Sequence, residues 1–275
     1  MIGRLKIIFN EYRRVRNVRK AIYKNKIVVE LNDDEQELID QLKRFGFVVI
    51  PDYYTKEKCA IIRAEIDKLI ESNSEYLWVD EKKSDHRIYG AEQLSAIIKE
   101  FHDDPFLLKL AEAFNEVPII NSHTLVGKIV AVMDNLGSGQ GWHRDSASPF
   151  QFKALIYVSN ACDVNGPFQY LIGSNKVKSL FQQIWNSGMK VNHTRFREKD
   201  IEQIQKSGDY KIHTLTANAG SLVLVNTFGI HRGKPIEQGY RYALTNYYMN
   251  KHNYDLAFMS KKFNLPKKSG AKQIL

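Results

Sequence analysis

Apolar and polar positions change their rhythm once along this chain, near Val117. Before that point, apolar residues recur mostly every three or four positions, the spacing of one helical face. Leu5, Ile8, Phe9, Tyr12 and Val15 predict a basic amphipathic helix of about four turns within residues 1–30, until Arg16 and Arg19 intrude on its apolar face. Asp33-Asp34-Glu35 then open a second helix with acids where the helix dipole favours them, and Gly46 closes it. Phe47–Ile50 reads as a short strand stopped by Pro51. Thr55 is an N-cap candidate for a helix with Cys59, Ile62, Ile66 and Leu69 on one face. Residues 76–117 read as mixed and mostly helical, most clearly at Ala91–Phe101.

After Val117 the runs become short and β-rich, divided by Gly, Asn, Asp and Pro: Gly127–Met133, Phe152–Ser159, Phe168–Ile172, Ser221–Val225 and Arg241–Tyr248. This spacing predicts an antiparallel sandwich or barrel. A helical, polar stretch at 176–206 interrupts it, as a lid or binding insertion would. The expected class is therefore α+β: a helical N-terminal layer supporting a β-roll over 31–250, followed by a basic tail at 251–275.

Charge sharpens this division. The chain carries a formal +9, yet residues 1–26 hold nine Lys/Arg against one acid, and 251–275 hold six Lys against one acid. The body between them has 25 basic and 29 acidic residues. A nucleic-acid reader needs positive charge around its site, so no nucleic acid is expected as partner. The basic N-terminal helix instead suggests either an arm packed on the body or attachment to an anionic membrane surface. No apolar run approaches the roughly 20 residues that cross a bilayer, and the N-terminal stretch lacks a secretory core. Two cysteines, Cys59 and Cys162, make no disulfide framework and read as packing residues. A cytoplasmic protein, with or without peripheral membrane contact, fits these features.

Candidate chemistry lies at Gln140-Gly141-Trp142-His143-Arg144-Asp145. In an extended segment His143 and Asp145 project to one side and Arg144 to the other. Two imidazoles and one carboxylate form the facial triad of non-haem iron(II), which leaves coordination positions open. His231, after the strand-like Ser221–Val225, supplies the second imidazole. Ten residues later comes Arg241, whose planar fork suits the far carboxylate of 2-oxoglutarate.

These residues, in this order, resemble the phytanoyl-CoA dioxygenase family of Fe(II)- and 2-oxoglutarate-dependent oxygenases. The likeness is carried by Phe45–Pro51, by Trp142–Asp145, by Asn165-Gly166-Pro167 running to Ile172-Gly173-Ser174-Asn175, and by His231-Arg232-Gly233-Lys234-Pro235 continuing to Arg241. It spans roughly 36–250. Two departures stand out: Asn175 replaces the family's turn histidine, and the step from His231 to Arg241 is about one residue short. The resemblance implies a double-stranded β-helix (jelly roll) using Fe(2+), 2-oxoglutarate and O2. It also implies hydroxylation of an aliphatic C–H bond in a small metabolite or a lipid- or glycan-linked intermediate, with release of succinate and CO2. His143, Asp145 and His231 would be the catalytic metal ligands, Arg241 the co-substrate anchor. Lys128 and Tyr157, on strands expected to line the cavity, and Thr245, on the strand face of Arg241, are further co-substrate candidates. Related halogenases lack the metal-binding acid; Asp145 argues against halogenation.

Other side chains read as structural: Trp142 as pocket wall or packing, His123, His193 and His213 as spare histidines, and Glu198-Lys199-Asp200 as a solvated helix face. Two rival classes remain, a non-catalytic cupin-like metal-binding module and a nucleic-acid demethylase of the same superfamily. Arg241 argues against the first and the acidic body against the second.

Overall fold

The computed structural model describes residues 2–146, 151–187 and 193–266. Helices dominate the N-terminal part, and local chemistry sets their limits. After α1 (Ile2–Tyr23), α2 (Asp33–Phe45) begins at Asn32. The Asn32 side chain accepts the Glu35 N–H while Glu35 accepts the Asn32 N–H, so two orphan donors are satisfied reciprocally. The helix ends at Gly46, where φ is +91° and any side chain would strike the Tyr170 ring. β1 (Phe47–Ile50) follows, then α3 (Lys56–Ser72), capped by Thr55 on the Lys58 N–H.

Next come β2 (Leu77–Val79) and β3 (Asp85–Tyr89), an antiparallel pair inside the stretch that periodicity assigns mainly to helix. α4 (Ala96–His102) and α5 (Pro105–Asn115) complete the helical layer, the latter capped by Asp104 with Pro at its first position. β4 (Ile119–Val130) starts well before the expected Gly127. Its Asn121-Ser122-His123-Thr124 run hides the strand because polar residues there are buried rather than solvated. Thr124 Oγ1, for example, donates to Asn246 at 2.6 Å.

The remaining elements are β5 (Phe152–Tyr157), β6 (Phe168–Ile172), α6 (Val177–Ser187), α7 (Glu198–Lys206), β7 (Lys211–Leu215), β8 (Leu222–Asn226), β9 (His231–Gly233), β10 (Tyr240–Asn250) and α8 (Leu256–Phe263). Seven strands form an antiparallel sheet in the order β1-β8-β5-β10-β4-β3-β2. Three form a second sheet, β7-β6-β9, which isolated bridges extend through His231 to His143 and on to Arg195.

Strand alternation sorts the large sheet into two faces. Ala154, Ile156, Leu222, Leu224 and Leu244 pack outward against Ile39, Leu42, Ile62, Ile66, Phe101 and Leu110 of the helices. Each such side chain, once buried, stabilises the fold by about 1.5–3 kcal/mol. The other face turns Val223, Val225 and Tyr157 toward Phe168 and Tyr170 of the small sheet. Tyr157 ties the sheets together: its hydroxyl accepts the Phe168 N–H at 2.8 Å and donates to the Leu215 carbonyl at 3.3 Å.

Two sequence expectations change here. The α1 stripe splits: Val15 and Ile8 face the body, whereas Leu5, Phe9 and Tyr12 point outward, each more than half exposed. Cys162 is exposed rather than packed; Cys59 is buried. The insertion at 176–206 contributes α6 and α7, with 188–192 outside the described residues. Of the basic tail, 267–275 lie outside them too, while α8 lines the cavity between the sheets. No described helix is long and apolar enough to cross a membrane.

Candidate metal centre

His143 and His231 meet as a hydrogen-bonded antiparallel pair. Each backbone N–H donates to the other's carbonyl, at 2.8 and 2.7 Å, so both rings leave the small sheet on one side. Their centroids are 4.3 Å apart. Asp145 continues the extended run, its N–H donating to the Thr227 carbonyl at 3.1 Å. One ligand-capable atom from each of His143, Asp145 and His231 lies within 4.8 Å of the others, and this is the sole such group among the described residues.

The ring nitrogens are already assigned. His143 Nδ1 sits 2.9 Å from the Gly141 carbonyl and His231 Nδ1 sits 2.9 Å from the Gly229 carbonyl. A carbonyl only accepts, so both Nδ1 atoms carry the proton and both Nε2 lone pairs face the shared centre. Gly139, at φ +83°, passes so close to the His143 ring that any side chain there would collide with it. The donor set fits a divalent metal: two neutral imidazoles and one carboxylate, aimed at a common point.

Electrostatics favour that protonation state. Burial, reinforced by the neighbouring imidazole, pushes His143 well below the usual histidine range, and burial lowers His231 as well. Burial alone would raise Asp145. The Lys153 ammonium and the two imidazoles instead hold it well below the usual carboxylate range. Lys153 Nζ donates to Asp145 Oδ2 at 2.7 Å, while Oδ1 faces His143 Nε2 at 3.8 Å. One carboxylate oxygen is therefore held, and the other is turned toward the histidines.

The triad opens into a cavity of about 730 Å³ between the sheets, lined also by Arg87, Lys153, Arg195, Arg241, Thr245 and Tyr247. Three cations at least partly buried, Arg87, Lys153 and Arg241, face it, and their partners separate them. Arg87 is clamped by Asp85 at 2.5 and 3.0 Å, and Lys153 is paired with Asp145. Arg241 has no acidic partner among the described residues. Its Nη1 donates to the Gly166 carbonyl and its Nε is buried without any partner. Burial lowers its pKa. A half-satisfied guanidinium on the cavity wall, with no acid of its own among the described residues, has the chemistry to take a carboxylate.

Two of the sequence candidates sit elsewhere. Lys128 lies on the outer face of β4, where alternation turns it to Asp67 at 2.7 Å and to the Tyr242 ring. Tyr157 is spent on its two backbone hydrogen bonds and does not line the cavity. Trp142 packs behind the metal ligands and donates to Glu198 at 3.2 Å. Glu198 also accepts from Arg232 and Asp200 is buried against Arg197, so of this run Lys199 alone is a plainly solvated position, while the exposed Glu198 ties α7 to the strands. His123 stacks on Tyr247, His193 meets Phe196 edge-on, and His213 stacks on Phe47.

Sequence reasoning missed Lys153, Arg87 and Arg195. Lys153 carried a signal: it shares an alternating strand face with Leu155 and Tyr157, where a lone cation needs a partner. Arg144 does face away from the centre as expected, but into protein. Only 1% exposed, it lies over the Phe196 and Phe228 rings and donates to Gln183 at 2.8 Å; burial lowers it to about 10.

Comparison with known proteins gives the same picture. A profile of the phytanoyl-CoA dioxygenase (PhyH) family matches residues 42–238. No curated protein sequence matches significantly. Among solved structures, EctD from S. alaskensis with bound Fe superposes with TM-score 0.63 at 13% identity, covering 83% of this chain and 82% of that one. The epimerase SnoN in complex with Fe3+, alpha ketoglutarate and nogalamycin RO gives 0.62 at 16%, covering 88% and 93%. HygX from Streptomyces hygroscopicus with nickel and 2-oxoglutarate bound gives 0.55 at 16%, covering 81% and 88%. At such identities the likeness establishes a shared fold.

Proposed function

The chain belongs to the phytanoyl-CoA dioxygenase family, and on that premise we propose that it is an Fe(II)- and 2-oxoglutarate-dependent dioxygenase. Its reaction is hydroxylation of an aliphatic C–H bond in a small metabolite or a lipid- or glycan-linked intermediate, with release of succinate and CO2. The observation that carries this reading is the convergence of His143, Asp145 and His231 in one cavity with the unpaired guanidinium of Arg241. The opposed sheets fit a double-stranded β-helix, with the oxygenase unit at 31–250 and the insertion at 176–206 beside its mouth.

Bound iron and 2-oxoglutarate would supply the O2 chemistry, the protein its placement. His143 Nε2, His231 Nε2 and Asp145 Oδ1 would hold the metal. The Gly141 and Gly229 carbonyls fix the two tautomers, and Lys153 orients the carboxylate. Arg241 would take the distal carboxylate of 2-oxoglutarate, with Thr245 four residues along the strand on the same face. The two sheets and α8 enclose part of the cavity. SnoN is an epimerase, so the fold also serves other outcomes at carbon; hydroxylation is the simplest the triad supports.

Succinate release from 2-oxoglutarate, with Fe(II) and O2, tests the reading. Turnover in the wild type and none in Asp145→Ala is the expected result. Full turnover in Asp145→Ala would remove the triad from the chemistry.

A second surface belongs to the same reading. Leu5, Phe9 and Tyr12 stand exposed on α1 among Lys6, Arg13, Arg16 and Arg19. This stripe suits the headgroup region of an anionic bilayer, at about 1 kcal/mol per basic residue.

A further inference from the structure

We propose that the primary substrate carries an oxyanion, a carboxylate or a phosphate group, and that Arg195 holds it beside the metal centre; this rests on the oxygenase reading above. Strand geometry places Arg195. The Arg144 N–H donates to the Thr194 carbonyl and the Phe196 N–H to the Trp142 carbonyl, both at 2.9 Å. His143 and Arg195 are thus directly opposite in a non-hydrogen-bonded pair, the closer kind, with their side chains on one face. His231, His143 and Arg195 stand in a row across the small sheet, all on the cavity side.

The guanidinium is oriented but not neutralised. Its Nη1 donates to the Gly139 and Gln140 carbonyls, next to the glycine that packs on the His143 ring. It forms no ion pair with any described Asp or Glu. The segments outside the described residues contain no Asp or Glu that might supply a counter-ion.

The charge balance of the whole cavity points the same way. Arg87 and Lys153 have acids of their own, and Arg241 is assigned to 2-oxoglutarate. Arg195 remains, together with Lys262 of α8; the further acid in the lining is Asp255, which caps α8. Arg195 and Lys262 are both solvent-exposed at the open side of the cavity, where water screens them in the free protein and where they give an incoming substrate a positive entrance. An oxyanion meets the guanidinium fork, and the aromatic lining from Tyr89, Phe168, Phe258 and Phe263 suits an apolar remainder.

The test uses the full chain loaded with Mn(II) and 2-oxoglutarate, and two probe pairs: phenylacetate with phenylacetamide, and phenyl phosphate with phenol. Paramagnetic relaxation of the probe protons reports binding near the metal. At least one anion should bind about tenfold or more tightly than its neutral counterpart. Arg195→Gln should erase that advantage, and Arg195→Lys should retain part of it. Metal and 2-oxoglutarate affinity should hold in both variants. Which pair responds identifies the oxyanion. Equal binding of anion and neutral probe, or an advantage that survives in Arg195→Gln, would overturn the proposal. So would loss of 2-oxoglutarate affinity in Arg195→Gln, which would make Arg195 the co-substrate anchor. A wild-type chain that binds neither Mn(II) nor 2-oxoglutarate would overturn the oxygenase reading beneath it.

Discussion

Asp145 divides its oxygens between a lysine and the metal position, and Arg241 waits with an unfilled donor; both arrangements make quantitative predictions. Replacing Lys153 by Met removes the counter-charge that offsets burial, so the Asp145 pKa rises. Metal affinity should then fall more steeply than in wild type as pH drops into the mildly acid range, as metal titrations at two pH values would show. Arg241→Ala should weaken 2-oxoglutarate by roughly ten- to a hundredfold, because a charge-assisted contact contributes about 1.5–3 kcal/mol; unchanged affinity in calorimetry would place the anchor elsewhere. His123 sets a third test. Burial holds it at about 3, against about 6.5 unfolded, so unfolding takes up a proton in acid. Its contribution is complete above pH 6.5 and drains away as pH falls toward 3. His123→Phe should therefore gain about 2 kcal/mol on wild type between pH 7 and pH 5 in metal-free urea melts. The convergence of His143, Asp145 and His231 was legible because their spacing is itself the chemistry of a metal site. Arg195 was not, because its place depends on a strand pairing that local pattern does not encode.

Among the elements, helices with caps and short, mostly apolar strands could be read from pattern alone: α2, α3, β6 and β8 fall within a residue or two of expectation. β4 escaped because its two faces are both buried and its polar residues satisfy one another. The β2–β3 pair escaped because three to five residues are too few to show a period. α7 shows how a tie between elements differs from a source of stability. Glu198 touches Trp142 and Arg232, neighbours of the two metal-site histidines, yet its side chain is largely exposed. Glu198→Ala should cost less than about 1 kcal/mol in global unfolding. It should nevertheless speed amide exchange across 198–206, because the helix loses its link to both strands. Unchanged exchange there would mean the contact ties nothing.

For the whole molecule, metal should act as part of the fold. Ligand at a hundredfold above Kd stabilises by about 2.7 kcal/mol, or roughly 5–10 °C in Tm for a domain of this size. Chelation should remove that increment from the wild type and leave Asp145→Ala unaffected in thermal melts. Partition of charge to the termini was plain from composition, whereas the division of α1 into an inward and an outward stripe needed the body it rests on. Deleting residues 1–26 should abolish co-sedimentation with anionic vesicles and spare succinate release; equal sedimentation would make the helix a packed arm. The link through Glu198 also bears on redesign. A loop graft that imports residues 176–206 from a relative would sever it unless the donor supplies an acceptor for Trp142 and Arg232. The insertion at 176–206 and the strands that carry His143 and His231 should therefore be transplanted together.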